Sequence, residues 1–156
     1  MINRTDLTGI ITAMIPVSDL ATSAAWYRDL LGLEYMREFR RADLVTGCGL
    51  GHPANGWGLA LRLRSTTAGE ADLRGEHPVI FGVPDLAALE RIRAHADALG
   101  YAPTGGVHAD AHWVEVIDPD GIAVRFGVLV RRWTEFVGVQ DLTGFYTEPL
   151  VGPPIG

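Results

Sequence analysis

The chain reads as an α+β fold made of two copies of one strand–helix–strands module, and three features predict it. Val17-Ser-Asp-Leu20 returns as Val83-Pro-Asp-Leu86, 66 residues later (83 against 17), and Leu61-Arg-Leu63 returns as Val124-Arg-Phe126, 63 residues later (124 against 61). In each half, a short apolar run is followed by a stretch of helical periodicity and then by more short apolar runs. The second half closes on Val114-Glu-Val-Ile-Asp-Pro-Asp-Gly-Ile-Ala-Val-Arg-Phe-Gly127, two alternating strands around a four-residue turn. Such a module exposes an apolar sheet face when alone, so two should join.

Ile10 to Val17 reads as a buried strand. Ser18-Asp19 offers a helix cap, Leu20, Ala24, Tyr27, Leu30 and Leu31 make a helical stripe, and Gly32 stands where a left-handed residue ends the helix. Leu33 to Phe39 and Leu44 to Cys48 suit short strands, Gly49 to Gly56 reads as turn-rich, and Trp57 to Leu63 is a strand. Ser65 to Glu76 is a polar linker without periodicity. The pattern then restarts. Pro78 to Val83 is a strand, and Pro84-Asp85 leads into a helix with the stripe Leu86, Leu89, Ile92, Ala96 and Leu99, ending at Gly100. Tyr101 to Val107 reads as a loop, and Ala111 to Ile117 and Ile122 to Val128 form the hairpin. In its turn, Pro119 presets φ, Asp118 can bond back to the backbone, and Gly121 supplies positive φ. Alternation puts Val114, Val116, Ile122, Val124 and Phe126 on the helix side and Glu115 and Arg125 on the other.

Bulk properties narrow the function. The 156 residues suffice for one domain with a real core, and 47% hydrophobic with 21% charged residues is an ordinary globular composition. A net charge of −6 with no basic stripe argues against nucleic acid. Cys48 is the only cysteine, so no internal disulfide and no cysteine-based zinc site can form, and a reducing, cytoplasmic setting is expected. Met1 to Thr8 lacks the basic start and apolar run of a signal peptide, and no apolar segment approaches bilayer length, so no membrane is expected.

The stretch Ile15-Pro-Val-Ser-Asp-Leu-Ala-Thr-Ser-Ala-Ala-Trp-Tyr-Arg-Asp-Leu-Leu-Gly-Leu33, taken with Asp118-Pro-Asp-Gly121 and the repeat, resembles the vicinal oxygen chelate superfamily. That group includes glyoxalase I, bleomycin-resistance proteins, fosfomycin-resistance enzymes and extradiol dioxygenases. The resemblance covers roughly residues 9 to 128. It implies paired βαβββ modules, a glyoxalase/bleomycin-resistance-like curled mixed sheet around a cleft, and usually a homodimer. The chain then divides as a single domain: module one about 9–64, linker 65–76, module two about 77–128 and a C-terminal extension 129–156.

The resemblance also says where metal ligands should stand. The four positions hold Thr12, Pro78, Arg125 and, in the first half, Arg62. None offers a usual first-row metal ligand, and two bring positive charge. No metal or other cofactor is therefore expected. His77 adjoins Pro78, but a one-residue offset on a strand points to the opposite face. His108 and His112 have helical ligand spacing, yet Gly105-Gly106 argues against a helix there, and four residues of strand span roughly 13 Å. His108 is expected in a loop at the cleft mouth, as a possible acid or base. His52 and His95 read as surface residues, and Cys48 as an inert thiol.

Alternation then lines the cleft with Met14, Arg62, Trp113, Glu115 and Arg125. Arg62 and Arg125 are suited to grip a carboxylate, phenolate or enolate. Glu115 is suited to hold Arg125 or to act as a base. Trp57 and Trp113 are suited to stack on a planar ligand or to pack in the core. Three functions stay open. The first is a metal-independent binding protein for a small planar natural product or antibiotic. The second is a metal-free biosynthetic isomerase, cyclase or lyase working through Glu115 and His108. The third is a metal-dependent lyase or dioxygenase with relocated ligands, for example His77 and Glu115.

Beyond residue 130, Trp133, Phe136, Val137, Val139, Leu142, Phe145, Tyr146 and Leu150 are too apolar for a disordered tail. They are expected to dock over the cleft edge or across a subunit interface. Burying four such side chains contributes about 6–12 kcal/mol before ordering costs. Truncation after Val130 should therefore lower the melting temperature or change the oligomeric state. Unchanged light scattering and melting would show the tail to be dispensable.

Overall fold

The computed structural model describes residues 9–52, 54, 56–108, 111–129, 139–141 and 144–146. Two four-stranded mixed sheets and two helices make an α+β fold. The chain divides into two compact units, residues 1–79 with 117–123, and residues 80–116 with 124–156.

In the first unit, β1 (Thr12–Val17) leads into α1 (Leu20–Leu31), followed by β2 (Glu34–Arg41), β3 (Leu44–Gly51) and β4 (Gly58–Leu63). The sheet order is β1-β4-β3-β2, with β1 parallel to β4 and the remaining pairs antiparallel. Asp19 caps α1 by accepting from the Thr22 N–H at 2.7 Å. That bond holds its carboxyl below the usual range. Gly32 closes the helix at φ 64, the left-handed conformation its spacing predicts. Ile15, Val17, Tyr27, Leu30, Cys48, Leu50, Leu59 and Leu61 are buried as its core. Leu20 and Leu31, assigned to the stripe, are only half-buried at the helix ends.

The second sheet has β5 (Val79–Gly82), β6 (Thr104–His108), β7 (Ala111–Ile117) and β8 (Ala123–Leu129) in the order β5-β8-β7-β6. This repeats the first sheet's order strand for strand, as the sequence repeat requires. The α2 helix (Leu86–Ala98) is capped by Asp85 and buries Ala88, Leu89 and Ala96. Leu86, expected in its stripe, is 51% exposed at the first helical position. Val114, Val116, Val124 and Phe126 are buried, and Phe81 stacks on Phe126 with centroids 5.6 Å apart. The alternation read from the hairpin is thus the packing observed.

Two stretches differ from their sequence reading. Tyr101 to Val107 was expected as a loop, but Thr104–His108 is a strand paired antiparallel with β7. The Trp113 ring lies over Gly106, its partner in register, so a side chain there would collide with the indole. Gly49 to Gly56 was expected as turn, but β3 runs on to Gly51. In both cases the glycines make room for side chains of neighbouring strands, a demand that local propensity does not express. Val139–Asp141 and Gly144–Tyr146 pair as an antiparallel ribbon, β9 and β10. Trp133, Phe136, Val137, Leu142 and Leu150 of the apolar tail lie outside the described residues. Among the described residues no helix is long and apolar enough to cross a membrane.

The Asp118-Pro-Asp-Gly121 turn belongs to the first unit and is fastened to α1. Asp118 Oδ1 accepts the N–H groups of Asp120 and Ile122, each at 2.8 Å, and its Oδ2 accepts the Tyr27 hydroxyl at 2.9 Å. The Asp120 carboxylate accepts the Ser18 N–H at 3.1 and 3.0 Å, just ahead of the helix cap. Gly121 sits at φ 80, as the turn reading requires. Tyr27 is 1% exposed, and Asp118 and Asp120 are 5% and 7% exposed. Burial pushes the Asp118 carboxyl up against the pull of its three donors. Burial, and then the Asp118 charge, push the Tyr27 phenol far above its ordinary value.

Tyr27→Phe removes one donor from a buried carboxylate and should cost about 1.5–3 kcal/mol near pH 7. The pH dependence has a definite sign. The unfolded chain releases the phenol proton near pH ~10, while the folded chain keeps it. Tyr27 therefore lowers stability as pH rises through that range. Urea unfolding at pH 7 and across pH 9–11 should show the variant less stable at neutrality and less sensitive to alkali than the wild type.

Candidate functional site

The face of the first sheet opposite α1 carries unusual backbone. On β3, Cys48 and Leu50 point to the core, and Gly47, Gly49 and Gly51 alternate with them. Cys48 is buried, and burial, then the Glu38 carboxylate, push its thiol above the ordinary value, which disfavours the thiolate. The glycines leave a strip of bare main chain, and long side chains from β2 and β4 lie across it. A Cβ at Gly49 would meet Arg37 Cγ at 2.6 Å. A Cβ at Gly47 would meet Arg62 Cδ at 2.8 Å and the Phe39 ring at 3.2 Å.

This face opens into a groove of about 510 Å³ walled by Thr12, Met36, Arg37, Phe39, His52 and Trp57 over the glycines. Small-molecule sites are typically ~300–1,000 Å³ and largely apolar with a few polar groups, and this groove meets both conditions. Trp57 is half-buried in its wall. Met14 is exposed on β1, in register with Ala60 of the groove. His52, read as a surface residue, is half-buried in the wall, and its Nδ1 accepts the Ala54 N–H at 3.1 Å. Arg37, Phe39 and Met36 escaped the sequence reading. The signal that could have found them is the period-two glycines in Gly47-Cys-Gly-Leu-Gly51, which mark a strand with one bare face.

Arg62 and Arg125 occupy equivalent places in the two sheets and share one feature. The Arg62 guanidinium stacks on Phe39 at 4.4 Å from the ring centroid, and that of Arg125 stacks on Trp113 at 4.6 Å. Their partners differ. Arg125 Nε and Nη2 both donate to Glu115 Oε2, at 3.1 and 2.7 Å, with the two side chains only 25% and 18% exposed. Arg62 has no ion pair among the described residues. Its Nη1 reaches only the Thr46 hydroxyl at a long 3.5 Å, and its buried Nε has no hydrogen-bond partner. Register explains the difference. Arg62 stands between Pro16 and Gly47, neither of which has a polar side chain. In the hairpin, Asp118 N–H bonds to Ile122 O, and three residues further along each strand Glu115 faces Arg125. A buried orphan N–H costs about 1–3 kcal/mol, so the Arg62 side of the molecule carries an unmet demand.

Met14, Trp57 and Arg62 belong to the first unit, and His108, Trp113, Glu115 and Arg125 to the second. His108 ends β6 opposite Ala111 and does not stand in a loop. Of the metal positions implied by the resemblance, Thr12 and Arg62 lie on the adjacent strands β1 and β4, Pro78 precedes β5, and Arg125 lies on β8 beside it. Threonine, proline and two arginines do not suit a divalent cation. Among the described residues no group of three or more His, Cys, Asp or Glu side chains is arranged to hold one. His77 is exposed ahead of β5, and Glu115 is committed to Arg125.

The sequence profile of the Glyoxalase/Bleomycin resistance protein/Dioxygenase superfamily matches residues 9–126, and the chain belongs to that family. No curated protein sequence matches it. Solved structures share the fold. A lactoylglutathione lyase from Agrobacterium tumefaciens is 19% identical with a TM-score of 0.65, covering 78% of this chain and 94% of its own. A superfamily member from Sphaerobacter thermophilus is 17% identical with a TM-score of 0.65, covering 78% and 98%. An antibiotic binding protein from Streptomyces sp. CB03234 is 17% identical with a TM-score of 0.59, covering 79% and 97%.

Arg125→Ala should destabilise the fold by about 1–3 kcal/mol, because it strands the Glu115 carboxylate. Adding Glu115→Ala should recover part of that loss. A double-mutant cycle by urea unfolding measures the coupling. Purely additive losses would show that the pair is not a structural unit.

Proposed function

We propose that the chain is a metal-independent binding protein for a small planar molecule, held in the groove of the first unit. The observation that carries this reading is the composition of the groove. Phe39, Trp57 and Met36 offer flat and deformable apolar surface over a bare glycine strip, and Thr12 stands where the family's enzymes would place a metal-binding histidine. An apolar wall with few polar groups suits capture of a planar ligand by stacking. A solved relative of the same fold is described as an antibiotic binding protein, which agrees with capture as one use of this architecture. The groove is sized for a monomeric small molecule, and a net charge of −6 keeps nucleic acid out of consideration. On this reading, Glu115, Arg125 and Trp113 shape and stiffen the second sheet, and a cytoplasmic homodimer is the working assembly.

The acid–base alternative requires Glu115 to take a proton from a substrate. Its Oε2 already receives two N–H groups of Arg125, so recognition without turnover is the simpler use of the geometry.

The purified protein should contain less than one equivalent of zinc, iron, nickel or manganese by elemental analysis. Treatment with a chelator should leave its melting temperature unchanged. One equivalent of bound divalent metal, or a loss of stability on chelation, would overturn the metal-independent reading. Conversion of a candidate ligand on prolonged incubation would favour the enzymatic one.

A further inference from the structure

We infer that the groove's ligand carries a carboxylate, and that Arg37 and Arg62 receive it. This deepens the binding role proposed above and rests on it. The two sheets pose one problem and solve it differently. Each places an arginine at the same point of its fourth strand and lays the guanidinium on an aromatic ring, Phe39 on β2, beyond β3, for Arg62 and Trp113 on the adjacent β7 for Arg125. In the second sheet the residue facing the arginine is Glu115, and its carboxylate takes two of the guanidinium's N–H groups. In the first sheet the residue facing the arginine is Gly47. The cation and its aromatic bed are present, and the carboxylate is missing.

Nothing else among the described residues supplies it. Arg62 makes no ion pair, its Nε is buried without a partner, and its sole polar contact is the Thr46 hydroxyl. Arg37 lies over Gly49, two residues along the same strip, lines the groove, and likewise has no ion pair among the described residues. The neighbouring acid on β2, Glu38, is in register with Cys48, on the side away from the glycines, and bonds to Arg40. Two uncompensated guanidinium groups on one bare strip, in a protein of net charge −6, form a local positive site inside an acidic molecule. Arginine presents paired planar donors that match a carboxylate's two oxygens. Arg37 and Phe39 line the groove and Arg62 stacks on Phe39, so a carboxylate attached to a planar ligand against Phe39 would meet Arg37 in the wall and Arg62 behind Phe39.

Isothermal titration calorimetry with 2-naphthoate and its neutral isostere 2-naphthamide tests this. The wild-type protein should bind naphthoate about 10–100-fold more tightly than the amide, the worth of a charge-assisted hydrogen bond. Arg62→Met and Arg37→Met should each bring that ratio toward one, losing far more affinity for the acid than for the amide. Arg37 is exposed, so its variant keeps the test valid if Arg62→Met folds poorly. Thermal melting checks the fold of both. Equal affinity for acid and amide would overturn the carboxylate inference and leave the groove reading standing. A preference for the acid that survives in both variants would also overturn it, since the anion would then be held elsewhere. Binding of neither probe would overturn the carboxylate inference and the groove reading together.

Discussion

Two buried carboxylates on one turn hold the first unit in shape. Among the described residues Asp118 and Asp120 have no cationic partner in their bonds. Their charge is met by the N–H groups of Ser18, Asp120 and Ile122 and by the hydroxyl of Tyr27. A buried carboxylate is tolerated only when its oxygens are saturated in this way. Moving the turn from its seat against α1 would break the bonds to the Tyr27 hydroxyl and the Ser18 N–H. It also reaches the linker: Gly75 N–H donates to Gly121 O, and Ala123 N–H donates to Glu76 O. The two sequence signatures of the family, one near residue 18 and one near residue 120, are thus two ends of a single hydrogen-bond network. Their joint presence in a sequence has a mechanical reason.

With the turn anchored, α1 covers one face of its sheet, and the other face carries the groove. That face is built by subtraction. Three alternating glycines on β3 remove side chains so that Arg37, Arg62 and Phe39 can lie flat. A flat bed of arginine and aromatic side chains on bare main chain offers planar surfaces and in-plane donors, which is what recognition of an aromatic molecule needs. The second sheet uses the same parts, Gly106, Trp113 and Arg125, but adds Glu115 and so completes its own charge balance. The duplicated architecture has produced one self-satisfied face and one with an open requirement.

This division bears on how a fold that also houses lyases and dioxygenases can serve a different chemistry. Metal chemistry in such a scaffold needs anionic or imidazole ligands converging on one point. Here the corresponding strand positions carry threonine, proline and two arginines. Replacing a ligand by a cation reverses the sign of the local field. On the binding reading proposed above, Arg37 in the groove wall and Arg62 beside Phe39 would favour an anion over a cation.

Much of the fold was written in local patterns. The helix stripes, the Asp19 and Asp85 caps, the Gly32 terminator, the Asp118 turn and the alternation of Val114, Val116, Val124 and Phe126 are all decided by neighbours within a few residues, and each reads directly from the chain. So did the repeat, and with it the two-module architecture. The positions that sequence reading mistook are glycines. Gly49, Gly51, Gly105 and Gly106 look like turn residues because glycine's backbone freedom is a local property. Their role in a strand is set by Arg37, Met36, Arg93 and Trp113, side chains that reach them from other elements of the fold. The two arginines make the same point. Leu61-Arg-Leu63 and Val124-Arg-Phe126 are alike in sequence, and nothing local separates them. Strand pairing puts a glycine opposite one and a glutamate opposite the other, and that register, a property of the folded sheet alone, decides which guanidinium is already satisfied.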